Sequence, residues 1–102
     1  MSRIVLHFLS FVIKSFRHKG LKELFETGHA AVIPPQLSRR CATVLEVIDE
    51  AETLTDLAGP GYKTHPLNTN PQRYAMAVNG PWRITFEFDN GHAFRVDLEQ
   101  YH

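Results

Sequence analysis

Two side chains that carry protons, Tyr101 and His102, close this sequence, and the pattern before them could hold them still. Trp82, Ile84, Phe86 and Phe88 alternate with Arg83, Thr85, Glu87 and Asp89; Phe94, Val96 and Leu98 alternate with Arg95, Asp97 and Glu99. Period two predicts half-buried strands. Chain ends fray unless a sheet pins them, so ordered chemistry at residues 101 and 102 requires the last strand to be paired. Asn90-Gly91 supplies the two positive φ values of a type I′ hairpin, and Asn79-Gly80-Pro81 makes a second turn after residues 74–78. Three antiparallel strands follow.

The elements that must support this meander lie upstream. Residues 12–16 (Val-Ile-Lys-Ser-Phe) read as a first strand. Leu21, Leu24 and Phe25 give the i, i+3, i+4 face of a short helix from His18 to Glu26, ended by Gly28. Pro34-Pro35 opens a longer helix whose apolar stripe is Leu37, Cys41, Val44, Leu45, Ile48 and Ala51, closed by Gly59-Pro60-Gly61. Arg39 and Arg40 near its positive end and Asp56 near its negative end each oppose the macrodipole by roughly 0.3–1 kcal/mol at exposed sites. Residues 62–65 lead into the meander as a short strand or loop. Two helices need a sheet face to cover. The apolar face (Trp82, Ile84, Phe86, Phe94, Val96, Leu98) takes them, leaving the other face open with Arg83 and Arg95. A basic open face invites a polyanion.

Composition narrows the rest. A chain of 102 residues with 43% apolar content suits one domain with one core. A net charge of zero argues against coating nucleic acid by bulk electrostatics, yet the charge is uneven. The first 41 residues hold seven basic and two acidic side chains; residues 42–61 hold five acids and no base. One cysteine, Cys41, excludes an internal disulfide framework and reads as core, not nucleophile. The six histidines lack metal-site spacing, so neither metal nor cofactor is expected. The apolar run 4–13 is too short to span a bilayer and lacks a small-residue cleavage site, so a cytoplasmic protein is expected. Residues 1–11 are expected to be an extension, or to precede a native start near Val12.

Residues 12–22 (Val-Ile-Lys-Ser-Phe-Arg-His-Lys-Gly-Leu-Lys), 63–67 (Lys-Thr-His-Pro-Leu), 78–86 (Val-Asn-Gly-Pro-Trp-Arg-Ile-Thr-Phe) and the terminal Tyr-His resemble the HigB toxins. These are RelE-like toxins of type II toxin–antitoxin modules. The resemblance covers residues 12–102 and implies an α+β, RelE-like fold: an N-terminal strand and two helices on one face of a mainly antiparallel sheet of four or five strands. It implies a metal-independent endoribonuclease that cuts messenger RNA in the ribosomal A site, using the ribose 2′-OH as nucleophile. A HigA-type helix-turn-helix antitoxin would hold it inactive, and DNA would be met only through that antitoxin.

By position, the resemblance makes His65 the residue that orients the phosphate or acts as base; a plain loop histidine is the alternative. Arg83 would neutralise the phosphorane, or else pair on the sheet surface with Glu87 or Asp97. Tyr101 would stack on a base or donate a proton, and His102 would be general acid to the leaving 5′-oxygen. Lys14, Arg17, Lys19, Lys22, Arg39 and Arg40 would face ribosomal RNA. Many relatives carry a lysine after His-Pro-Leu and an aspartate before Tyr-His, where this chain has Asn68 and Gln100. Asn68 therefore reaches RNA without the charge, and Gln100 cannot act as a base. The alternatives are an antitoxin-binding module of the same fold that has lost cleavage, and a small domain unrelated to RNA.

Overall fold

The computed structural model describes residues 12–100, so Tyr101, His102 and the extension 1–11 lie outside the described residues. The segment 12–16 forms an edge beside the last strand of the sheet. Ile13 bridges Ala93 and Phe16 bridges Val96, both in parallel. Its backbone exchanges hydrogen bonds with residues 93 and 96, Lys14 N–H donating to the Ala93 carbonyl at 2.8 Å. The buried carboxylate of Asp49 fastens it from the helix side, accepting from the N–H of Val12 (3.2 Å) and Ile13 (3.4 Å). An acid on an otherwise apolar stripe is thereby explained: it satisfies backbone donors that the parallel edge leaves over.

Helix α1 spans Lys19–Thr27. His18 caps it, Nδ1 accepting from the N–H of Leu21 at 3.1 Å, and Gly28 at φ 83° ends it. Helix α2 spans Pro35–Glu50 and buries Leu37, Cys41, Val44, Leu45 and Ile48, as the stripe predicts. It stops well short of Gly59. Ala51 turns extended (φ −76°, ψ 137°), and the Asp56 carboxylate accepts from the N–H of Glu52 (2.9 Å) and Thr53 (3.1 Å) to start a separate 3-10 turn, Leu54–Leu57. Asp56 thus meets N–H groups instead of opposing a helix C-terminus. The bonds from Glu52 and Thr53 hold its carboxyl below the ordinary carboxylate range.

The sheet runs β1 (His65–Pro66), β2 (Tyr74–Asn79), β3 (Trp82–Asp89), β4 (His92–Gln100) in spatial order, every neighbouring pair antiparallel. Both turns form where expected, with Asn90 at φ 53° and Gly91 at φ 76°. The alternation expected in the last strand does not hold throughout. Thr85 pairs with Asp97 but Glu87 pairs with Phe94, so β4 holds one extra residue, and Arg95 takes φ 49° there. This bulge inverts the alternation upstream of it. Ala93 and Val96 are fully buried, and Phe94 turns to the open face instead of the core. The core therefore lies between the helices and the face carrying Ile84, Phe86, Ala93, Val96 and Leu98.

Candidate active site

Residues directly paired across antiparallel strands share a face, so the register locates the open surface. His65 pairs with Ala75, Ala75 with Thr85, and Thr85 with Asp97. Two residues along, Ala77 pairs with Arg83 and Arg83 with Glu99. His65, Arg83, Thr85, Asp97 and Glu99 therefore lie on the face opposite the helices. Two alanines separate the histidine from the arginine, leaving a low floor between them. Strand spacing sets His65 and Arg83 roughly 10–12 Å apart at the backbone, close enough for both side chains to reach one phosphodiester.

His65 is exposed. Its Nδ1 lies 3.2 Å from the Pro66 carbonyl. When that nitrogen carries the proton and donates, Nε2 keeps its lone pair outward, as a base requires. Arg83 is half-buried and makes neither expected pairing. Its Nη1 donates to the carbonyls of Gly80 (2.8 Å) and Trp82 (2.9 Å), which ties the guanidinium to the β2–β3 hairpin. Glu99, directly opposite, accepts a short hydrogen bond from the Thr85 hydroxyl instead. A carboxylate thus stands one position before the uncharged, exposed Gln100.

The open face is less basic than its arginines suggest. Buried Arg73 donates to Glu87 (3.1 Å), to the Thr85 hydroxyl (3.0 Å) and to the Arg95 carbonyl (3.0 Å). Arg95 clasps the same carboxylate through Nε (2.8 Å) and Nη2 (2.7 Å). Those bonds from Arg95, and then from Arg73, keep the Glu87 carboxyl below the usual range against the cost of its burial. Sequence reading missed Arg73: one residue before a strand, it looks like a loop cation. The usable signal was the pair of unlike charges, Glu87 and Arg95, in consecutive strands.

The other expected cations are dispersed. Lys19, Lys22 and Arg39 are exposed on the helices, and Lys14 is exposed on the parallel edge. Arg17 stands 3.8 Å from Asp97. Arg40 donates to the Gly61 carbonyl at 2.8 Å and lies 4.7 Å over the Tyr62 ring, so its fork serves the fold. Asn68 is exposed in the loop after β1. Cys41 is fully buried, and burial pushes its thiol up to about 11. Among the described residues no three His, Cys, Asp or Glu side chains converge as a metal site needs, and no helix is long and apolar enough to cross a membrane.

Residues 14–102 match the family described as the RelE-like toxin of the type II toxin–antitoxin system HigB. The chain belongs to the HigB-like toxins. A Proteus vulgaris relative named Endoribonuclease HigB is 44% identical over 92 residues, covering 89% of this chain and 100% of the relative. The fold agrees, two helices on one face of an antiparallel four-stranded sheet. As a HigB-like toxin, the protein is one half of a module whose other half is an antitoxin. The expected fold class and family stand, while the inward Phe94, the Gly59 helix end and the Arg83 pairings do not.

Proposed function

We propose that this HigB-like toxin is an endoribonuclease that cuts messenger RNA in the ribosomal A site and is neutralised by a HigA-type antitoxin. What supports this most is that His65 and Arg83 stand on one sheet face that both helices leave uncovered, in a sheet whose β4 runs to Gln100, immediately before Tyr101 and His102 in sequence. The relative's name, an endoribonuclease, points the same way. In the reaction, the ribose 2′-oxygen attacks the adjacent phosphorus, the P–O5′ bond breaks, and a 2′,3′-cyclic phosphate and a 5′-hydroxyl result. His65 Nε2 takes the 2′-OH proton or orients the phosphate. Arg83, held to its hairpin, presents its free edge to the phosphorane, and His102 gives a proton to the leaving 5′-oxygen. Tyr101 stacks on a base or shares in proton delivery.

Gln100 brings no charge to this scheme, but Glu99 brings a carboxylate to the same face as Arg83, which favours a working enzyme over a module that has lost cleavage. Lys14, Arg17, Lys19, Lys22 and Arg39 contact ribosomal RNA, with Asn68 a neutral contact near His65; Arg40, already held by Gly61 and Tyr62, contributes least. The ribosome fixes the codon in a cleavable pose, so free RNA is a poor substrate. Residues 12–102 form the toxin domain.

The test maps mRNA 5′ ends in translating extracts given untagged wild-type protein or His102→Ala. Codon-phased cuts with wild type, reduced about a hundredfold or more in the variant, are expected. Equal cutting by both would remove His102 from the chemistry. Folded wild-type protein that makes no cuts, yet binds its antitoxin, would favour the non-cleaving module.

A further inference from the structure

The carboxylates of the open face differ in what their oxygens are free to do. Glu87 is occupied by Arg73 and Arg95. Asp97 accepts from the N–H of Leu98 at 2.9 Å through Oδ1, and its Oδ2 stands 3.8 Å from Arg17. Asp89 ends β3, roughly 20 Å along the strand from Arg83. Glu99 is half-buried and lies directly opposite Arg83 in register. Its Oε2 accepts from the Thr85 hydroxyl, and among the described residues its Oε1 has no partner. One oxygen holds the carboxylate to the sheet while the other is left to react.

The hold on Glu99 has a direction. Thr85 is fully buried, and its hydroxyl oxygen accepts from Arg73 Nη2 at 3.0 Å while its proton goes to Glu99. Arg73 is fixed in turn by Glu87 (3.1 Å) and by the Arg95 carbonyl (3.0 Å). A second observation concerns the pair itself. Glu99 and Arg83 are cross-strand neighbours, with Cβ atoms about 5 Å apart, close enough for a salt bridge. None forms, because Arg83 is held by the Gly80 and Trp82 carbonyls and Glu99 by Thr85. Collapsed onto each other, the two could neither meet a phosphate nor accept a proton; neutral partners keep them apart. In RNA the 2′-hydroxyl is the neighbour of the 3′-phosphate, so a phosphate on Arg83 brings that hydroxyl within reach of the carboxylate beside it. His65, by contrast, is two strands away from Arg83.

We infer that Glu99 is the general base of the cleavage, its Oε1 taking the 2′-OH proton while Arg83 meets the phosphate beside it. The inference rests on the endoribonuclease reading, and of the two roles open to His65 it assigns the orienting of the phosphate. As the 2′-oxygen bonds to phosphorus its proton passes to Glu99, and the P–O5′ bond breaks. The leaving oxygen takes its proton from His102, and Glu99 returns the one it gained to water before the next turnover. Thr85 orients the carboxylate, and Arg73 orients the hydroxyl of Thr85.

The test measures single-turnover cutting of mRNA on programmed ribosomes, with ribosome binding of each chain followed in parallel. Glu99→Gln keeps an oxygen to accept from Thr85 and loses the ability to take a proton. Its cutting rate should fall about a hundredfold or more while ribosome binding stays within about twofold of wild type. Glu99→Asp, which restores a carboxylate with a shorter reach, should cut at least about tenfold faster than Glu99→Gln. Asp97→Asn removes a charge of the same sign from the same face and should stay within about threefold of wild type. Glu99→Gln within threefold of wild type, Glu99→Asp no faster than Glu99→Gln, or Asp97→Asn slowed as much as Glu99→Gln would each overturn the assignment, with the nuclease reading left standing because the wild type still cuts. Folded wild-type protein that makes no cuts would overturn that reading and the base with it.

Discussion

Arg83 is anchored by one nitrogen to two carbonyls of its own hairpin, which leaves Nε and Nη2 to meet an anion with no competing carboxylate among the described residues to displace. A fork held this way is preorganised for charge that develops on a phosphorane, and losing such a donor typically costs a hundredfold or more. Arg83→Ala should therefore lower the single-turnover rate of mRNA cutting on programmed ribosomes by roughly a hundredfold. Arg83→Lys should recover little, because a point charge cannot hold the hairpin carbonyls and a phosphate oxygen together. Rates within threefold of wild type for both variants would remove Arg83 from the reaction. Cys41 shows the opposite character. With its thiol pushed up to about 11 and no exposed surface, only roughly a thousandth of it is thiolate at pH 8. A thiol reagent should leave the native protein unlabelled for hours at that pH and react fully in denaturant; fast native labelling would contradict this burial.

Hairpins and helix ends show how far local pattern reaches. Gly91 stands at φ 76°, and a Cβ there would meet the Glu52 carbonyl at 3.4 Å, an ordinary contact, so it is the turn conformation that selects glycine. Gly91→Ala should cost about 1–2 kcal/mol in urea unfolding, whereas Asn90→Gly, at φ 53°, should be nearly neutral. The Asn-Gly pair was legible in the sequence because a type I′ turn needs two positive φ values, and the helix stripes because burial repeats every three or four residues. The bulge at Arg95 was not legible: an extra residue in a strand leaves composition unchanged and shows only in the pairing partner. Period two carried across it therefore placed Phe94 inside and hid the small Ala93 that fills that place. The end of α2 was missed for a related reason. Asp56 serves the N–H groups of Glu52 and Thr53, and no helical period reports a carboxylate that caps the next turn. On the open face His65 and Arg83 were legible as motif residues, whereas Arg73 and the Glu99–Thr85 bond depend on register.

At the scale of the whole molecule, the two helices close one face of the sheet with apolar packing, while the other face is held by an ionic network in which one carboxylate answers two guanidiniums. Glu87 has an ordinary value of 4.5 when unfolded and lies below it when folded, through the hydrogen bonds and charge of Arg95 and then Arg73. A carboxyl depressed on folding contributes stability that is complete above the unfolded value and is lost as pH falls through the folded one. Asp56, depressed from 3.8 by the N–H groups of Glu52 and Thr53, acts in the same direction. The urea midpoint should therefore lose no contribution from these two groups between pH 7 and 6 and should fall below about pH 4.5. Glu87→Gln should flatten that acid limb and at pH 7 cost about 3 kcal/mol, because it strands the buried charge of Arg73. Replacing both partners, Arg73→Met with Glu87→Leu, should cost less than Glu87→Gln alone, since neither buried charge then remains. An acid limb of unchanged steepness in Glu87→Gln would show that the network does not set the acid stability of this face. A double variant weaker than the single would show that Arg73 stabilises the sheet by more than its pairing with Glu87.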